Sequence, residues 1–378
     1  MKKLFLILVV LSSSLCAKGV ASNAYKAWQR FHYEAECQEG NHLVKVLLGS
    51  DESDTKYWIK AESRRLMSQK IELARGEKLE YTFTVNTRTP KLPNGSSVKL
   101  SGAESSGHER WDSRLTIDIF WRGAAPTGLQ VEPAHADTVT IFLAGDSTVC
   151  CYNTEPYATW GQMLSAFFTD KVAIANHAEC GRSLFSFKSE LREDKVLSLA
   201  KPGDWLFIQF GHNDQKEKCE FEERMRRYEE RLNALIDAFE AKGGRVALVS
   251  PMERRRFDKD GKPFKTLQEY EDTMAKVAKE RNLPFINLHD LSFKFYSTLG
   301  EEKSKSLFGF RKELDNTHHS VHGGWELALA VANEIKKEIP SLARYLREDL
   351  PSWSPDSPSG NPNIPRSGKM ATAKPEEK

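Results

Sequence analysis

Three short fragments carry side chains that together could hydrolyse an ester: Gly145-Asp146-Ser147, Gly211-His212-Asn213-Asp214 and Asp315-Asn316-Thr317-His318. Ser147 is the candidate nucleophile, but a serine hydroxyl hardly ionises at neutral pH and needs a base within hydrogen-bond reach. His318 offers an imidazole that can take this proton and later return it to a leaving alcohol. Asp315, three residues earlier, offers a carboxylate that can hold the ring's tautomer and stabilise the imidazolium. The spacing suits a loop or a helical turn, and His319 competes with His318 for the role of base. Attack on a carbonyl leaves an anionic oxygen, and each preorganised donor to it is worth about 3 kcal/mol of barrier. The candidate donors are the backbone amides of Ser147 and Gly181 and the side-chain amide of Asn213. Gly181, in Cys180-Gly181-Arg182-Ser183, has no side chain to block a substrate oxygen.

Weaker candidates surround these. Asp146 and His212 read as supports of the turns that carry Ser147 and Asn213. Trp160, in Tyr157-Ala158-Thr159-Trp160-Gly161, could stack on a sugar, although an aromatic at helical spacing is more often core. Arg182 is a second candidate substrate contact. Arg254, Arg255 and Arg256 form either a grip for carboxylates of an acidic polymer or a solvated charge run. His32, His42, His108 and His135 show no ligand spacing and are assigned no chemistry, the cysteines show no metal-type spacing, and no cofactor is expected.

Two kinds of element must position these residues. From about Asn23 to Ala136 apolar residues alternate, as in Leu79, Tyr81, Phe83 and Val85, and in Leu115, Ile117 and Ile119; Leu43–Leu48 and Gly128–Glu132 add further strands. A small β-sandwich over residues 23–136 is the expected packing. Beyond it, short apolar runs at Val139–Ala144, Val172–Ala175, Trp205–Phe210, Val246–Val249 and Phe285–Leu288 are separated by helical periodicity. The helical stretches are Tyr157–Phe168, Phe221–Ala241, Leu267–Arg281 and Gly324–Lys337. This repetition predicts an α/β domain over residues 137–350, a parallel sheet with helices on both faces, whose ligands gather at the carboxyl ends of the strands. Ser147 follows the first run and Asn213 the third. Residues 351–378, rich in Pro, Ser and charge, read as a disordered tail.

With 378 residues and 39% apolar content the chain can bury a substantial core, and its net charge of +2 gives no general attraction to nucleic acid or to a membrane surface. Lys2 and Lys3, then Leu4–Leu11, then Ser12–Ser14 resemble an export signal over residues 1–22, cleaved between Cys16 and Ser22. Secretion or a periplasmic location follows as an expectation. Bulky Leu15 speaks against lipidation of Cys16. Five cysteines remain after the signal; a bridge from Cys150 or Cys151 to Cys180 is one reading and buried thiols the other. The assembly state is not legible in the sequence.

Gly145-Asp146-Ser147, Gly181, Asn213 and the Asp315/His318 pair resemble the four blocks of the SGNH (GDSL-type) hydrolases. Phe142–Thr148, Trp160–Leu164, Asn176–Glu179, Phe207–Gln215 and Thr317–His319 are similar to the rhamnogalacturonan acetylesterase branch. The resemblance covers about Val139 to Tyr345. It implies a flavodoxin-like three-layer fold and metal-free removal of acetyl groups from pectic polysaccharide. It implies a triad of Ser147, Asp315 and His318, with an oxyanion hole of Ser147, Gly181 and Asn213. Lys60–Met67 in the front region is similar to galactose-binding-like sandwiches, which leaves sugar binding or structural bracing as its role. Cys150-Cys151 departs from the family pattern and bears on substrate preference. The alternatives are an SGNH esterase for xylan or small esters, and a carbohydrate-binding protein without turnover, against which every expected catalytic side chain is present.

Overall fold

Alternating apolar residues in the first third of the chain build two antiparallel sheets. The computed structural model describes residues 7–10, 27–105, 111–367 and 372–373. In chain order the strands are β1 (Ile7–Val10), β2 (Gln29–Glu36), β3 (Gly40–Gly49), β4 (Thr55–Ala61), β5 (Arg65–Leu66), β6 (Ile71–Leu73) and β7 (Lys78–Thr87). A helical turn, α1 (Gly102–Ser105), precedes β8 (Arg114–Arg122) and β9 (Gly128–Pro133). One sheet runs β1-β9-β3-β7; the other runs β2-β8-β4-β5, with β6 on β4. Val44, Val46, Phe83 and Val85 of the first sheet share a buried cluster with Tyr57, Ile59, Ile117 and Ile119 of the second, the period-two arrangement that two facing sheets require.

The second sheet is buried on both faces. Trp58 of β4 and Phe120 of β8 point away from this cluster and join Phe167 and Trp325 in a different one, with the rings of Trp58 and Trp325 6.1 Å apart. That cluster belongs to the following α/β unit, so the two units share a continuous apolar contact.

The α/β unit comprises β10 (Val139–Gly145), α2 (Trp160–Met163), β11 (Val172–Asn176), α3 (Leu184–Ser189), α4 (Arg192–Leu199), β12 (Trp205–Gln209) and α5 (Phe221–Glu240). It continues with β13 (Arg245–Val249), α6 (Gln268–Arg281), β14 (Phe285–Ile286), α7 (Leu288–Ser304), β15 (Phe308–Phe310), β16 (Leu314–His319), α8 (Val321–Glu338) and α9 (Pro340–Ala343). Five strands form a parallel sheet in the order β11-β10-β12-β13-β14. Side chains alternate between two layers. Phe142, Ala144, Leu206 and Ile208 meet α3, α5 and α6, whereas Ile141, Leu143, Phe207 and Val249 meet α2, α7 and α8. This is the expected parallel sheet covered by helices, and its strand order makes the flank between β10 and β12 the point where ligands bind in doubly wound folds.

Two expectations are corrected here. Asp315 and His318 lie in neither a loop nor a helical turn but in β16, which pairs antiparallel with β15. The chain after Pro351 is not disordered over the described residues to Ser367: Trp353 is buried and donates its indole N–H to Glu326 Oε2 at 2.6 Å. The reason is polar. Glu326 of α8 is fully buried and needs donors, and this segment adds the backbone amides of Ser359 and Gly360. Lys60 Nζ also donates to Pro365 O at 2.6 Å, and β17 (Thr372–Ala373) pairs parallel with β2.

Of the expected export signal only Ile7–Val10 lies among the described residues, where it pairs with β9; Cys16 and the proposed cleavage region lie outside them. No helix of the described residues is long and apolar enough to cross a membrane.

Candidate active site

The turn carrying Ser147 leaves the carboxyl end of β10, the strand that pairs with both β11 and β12. Gly145 is required there: a Cβ would lie 2.6 Å from Val149 Cγ2 and 2.9 Å from Gln209 O. Asp146 is buried, and its Oδ1 accepts from the Thr148 amide at 2.9 Å and the Thr148 hydroxyl at 2.7 Å. That hydroxyl in turn accepts from Gln209 Nε2 at 2.7 Å, and Gln209 Oε1 accepts from Trp160 Nε1 at 2.9 Å. The relay pins the turn to β12. It also corrects the reading of Trp160 as a sugar platform: the ring is fully buried and its one donor is used inside the protein. Thr148 and Gln209 fall inside the stretches Phe142–Thr148 and Phe207–Gln215, but the sequence assigns neither an individual role.

Ser147 Oγ lies 2.9 Å from His318 Nε2, and His318 Nδ1 lies 2.8 Å from Asp315 Oδ2. The other carboxylate oxygen of Asp315 accepts from the amides of Thr317 and His318 at 2.8 and 2.9 Å. With the proton on Nδ1 directed to Asp315, Nε2 is the acceptor for the serine hydroxyl. Burial pushes the Asp315 carboxyl up, but these hydrogen bonds outweigh it and hold the group well below the usual carboxylate range. Burial likewise pulls the His318 imidazole down, and the hydrogen bond and charge of Asp315 outweigh that and raise it. His319 points elsewhere. It is buried against Phe308, with its Nε2 2.7 Å from the Tyr296 hydroxyl, and burial lowers it to about 3.

Gly181 and Asn213 follow β11 and β12. Gly181 has φ +78°, a backbone conformation that glycine adopts without strain, and nothing lies within 4 Å of where a Cβ would be. Lys216 Nζ donates to Asn213 Oδ1 at 2.8 Å, and Asn213 Nδ2 donates to Arg182 O at 3.0 Å. These contacts orient the Asn213 amide and leave its second N–H for another acceptor. The following residue, Asp214, is buried and accepts from the amides of Leu184 and Gly211 at 2.9 and 3.0 Å; burial pushes its carboxyl up to about 7. Burial holds His212 well below its ordinary value. Arg182 uses its guanidinium on Glu190 and on Cys180 O, both at 2.7 Å, which braces the Gly181 turn.

Aromatic and basic side chains border this group. The rings of Tyr152 and Tyr157 meet that of His318 edge-on at 6.3 and 6.0 Å. The exposed Arg311 stacks over Tyr157 at 4.9 Å, next to exposed Phe310. None of these four was singled out, because nothing in the local pattern ties them to His318. The arginine triplet divides: Arg255 is buried and bonds Ser304 and Asn316, Arg254 donates to Thr266, and Arg256 is exposed. It is therefore neither a uniform grip nor a solvated run. Cys150 and Cys180 are not bridged, although their sulfurs are 3.4 Å apart.

Residues 143–305 match the model of the GDSL-like Lipase/Acylhydrolase family. A rhamnogalacturonan acetylesterase of Bacillus subtilis (strain 168), RhgT, is 37% identical over 211 residues, which make up 53% of this chain and 90% of that protein. A probable rhamnogalacturonan acetylesterase of the same organism, YesY, is 34% identical over 213 residues, 55% of this chain and 98% of that protein. The solved structure of the Bacillus subtilis protein YxiM is 21% identical, with a TM-score of 0.50, over 82% of this chain and 88% of that one. At that identity the likeness is one of fold.

Proposed function

We propose that this chain, which belongs to the GDSL-like lipase/acylhydrolase family and is a serine ester hydrolase, removes O-acetyl groups from a pectic polysaccharide, rhamnogalacturonan or one like it. The observation that carries the mechanism is the hydrogen-bonded series Asp315, His318 and Ser147. Ser147 Oγ attacks the acetyl carbon while its proton passes to His318 Nε2, and Asp315 stabilises the imidazolium that forms. The amides of Ser147 and Gly181 and Asn213 Nδ2 donate to the developing oxyanion. Collapse expels the sugar hydroxyl, to which His318 returns the proton. Water then attacks the acetyl-enzyme with His318 again as base, releasing acetate and restoring Ser147.

An acidic polymer is favoured over a neutral one by the basic groups beside the series, Arg311 over Tyr157 and Lys216 on Asn213. The names of the two Bacillus relatives support the same substrate. In this reading residues 137–350 are the catalytic domain. Residues 23–136 are a galactose-binding-like sandwich that braces it, which the two facing sheets and their continuous apolar contact with the α/β unit support. Export rests on Lys2, Lys3 and the apolar run Leu4–Leu11.

Acetate release from acetylated pectic polymer and from acetylxylan, measured side by side, tests the substrate. Faster release from the pectic polymer is expected. Release from acetylxylan with none from pectic polymer would contradict the proposal.

A further inference from the structure

We infer that Arg64, in the front unit, is a positioning residue of the active site, holding the Tyr152–Tyr157 loop so that its two tyrosine rings wall His318; the inference rests on the reading of Ser147 and His318 as nucleophile and base. Arg64 sits in the tight turn between β4 and β5, where Glu62 has φ +53° and Arg64 has φ +60°. Two side-chain-bearing residues in the left-handed region are unfavourable unless local bonds compensate. Glu62 Oε1 accepts from the Thr116 amide at 3.0 Å. Arg64 reaches across to the α/β unit, where its Nη1 donates to Tyr152 O at 3.2 Å and Tyr157 O at 3.1 Å and its Nη2 lies 3.5 Å from the Glu155 carboxylate.

Neighbouring contacts converge on the same loop. Ser63 Oγ donates to Asn153 Oδ1 at 3.0 Å, and Gln162 Nε2 bridges Ser63 O at 2.7 Å and Tyr152 O at 2.9 Å. The loop has little regular structure of its own, only an isolated bridge between Tyr157 and Ser320, so its carbonyls depend on donors from elsewhere. Tyr152 and Tyr157 stand 5.3 Å apart and present their edges to His318. One largely buried guanidinium therefore ties both ends of the aromatic wall, and it comes from a different structural unit than Ser147 and His318.

In the proposed reaction His318 returns its proton to the leaving sugar hydroxyl, so rings standing against His318 would border the sugar rather than the acetyl group, and loss of Arg64 should separate polymer from small-ester kinetics. The experiment compares Arg64→Ala, Arg64→Lys and Asn153→Ala with the wild type on acetylated pectic polymer and on 4-nitrophenyl acetate, with thermal unfolding measured alongside. Arg64→Ala should lower kcat/KM on polymer by about ten-fold or more, mainly through KM, while kcat on the small ester stays within about two-fold. Lysine offers one nitrogen on a differently shaped stem, which cannot serve both carbonyls and the Glu155 carboxylate as the two guanidinium nitrogens do, so Arg64→Lys should fall between. Asn153→Ala should shift the polymer KM in the same direction by less. If Arg64→Ala does not fold, the other two variants decide. Folded variants with wild-type polymer kinetics, or with both substrates lost in the same proportion, would overturn the inference. A wild type whose hydrolysis does not depend on Ser147 would instead remove the underlying reading, and the inference with it.

Discussion

Ser147 and His318, 171 positions apart in the chain, meet with 2.9 Å between Oγ and Nε2. The meeting needs the carboxyl end of β10 and the β15–β16 hairpin to be docked together, and α8 contributes by packing against both α2 and β16. Asp315 completes the arrangement locally, since one carboxylate oxygen holds the ring and the other caps the backbone of the same strand.

Asp315→Asn should lower kcat by about 10⁴, the size of effect expected when the base's orienting carboxylate is lost. The sign of the pH effect follows from the shifts. His318 must be neutral to accept a proton, so kcat/KM of the wild type should rise through a pKa above the ordinary 6.5. Without the Asp315 charge, burial is the dominant influence, and the residual activity should rise through a lower pH. A pH profile of the variant with an unmoved or higher acid limb would count against this account.

Asn213→Ala removes one of the proposed donors to the oxyanion while leaving the base intact. The expected loss is about 10²–10³ in kcat with little change in KM. A variant with normal kcat would show that the amide held by Lys216 and Arg182 O acts on the loop alone.

Much of this arrangement was legible in the chain. The runs beginning at Val139, Val172 and Trp205 became parallel strands because each is short, apolar and followed by a turn residue. Thr55–Ala61 was missed as a strand because it serves two cores: Tyr57 and Ile59 face one layer and Trp58 the other, which erases the alternation. The short helices α3 and α4 and the long α7 were missed as well, α7 because its mixture of serines, lysines and aromatics shows only a weak apolar stripe. At the site, Ser147, Gly181 and Asn213 could be placed from the strands they follow. Tyr152, Tyr157, Arg311 and Arg64 could not, because only the docking of the hairpin and the front unit brings the two rings to His318, Arg311 to Tyr157 and Arg64 to the loop between the tyrosines. Trp353 was misread for another reason. Its segment has little apolar periodicity, and what holds Trp353 is the buried Glu326 carboxylate on α8, 27 residues earlier, together with the Phe295 ring.

Trp353→Ala should destabilise the protein by about 3–5 kcal/mol, through the lost burial and a weakened donor set at Glu326. Denaturant unfolding measures this. An unchanged midpoint would mean that the segment after Pro351 does not contribute to the fold.

Arg311→Ala should raise KM on an acidic acetylated polymer by about two- to five-fold at low salt, and the difference should shrink at about 0.5 M salt, where an exposed charge contact is screened. Kinetics on 4-nitrophenyl acetate should not change. An equal effect on both substrates would place Arg311 in support of Tyr157 instead of in contact with the polymer.

The most direct test of the central claim, that Ser147 activated by His318 performs the attack, is acetate release by Ser147→Ala compared with the unaltered protein on the same acetylated substrate. Release falling by about 10⁴ or more, in a variant that unfolds at the same temperature, is the predicted result. Equal release from the two proteins would contradict it.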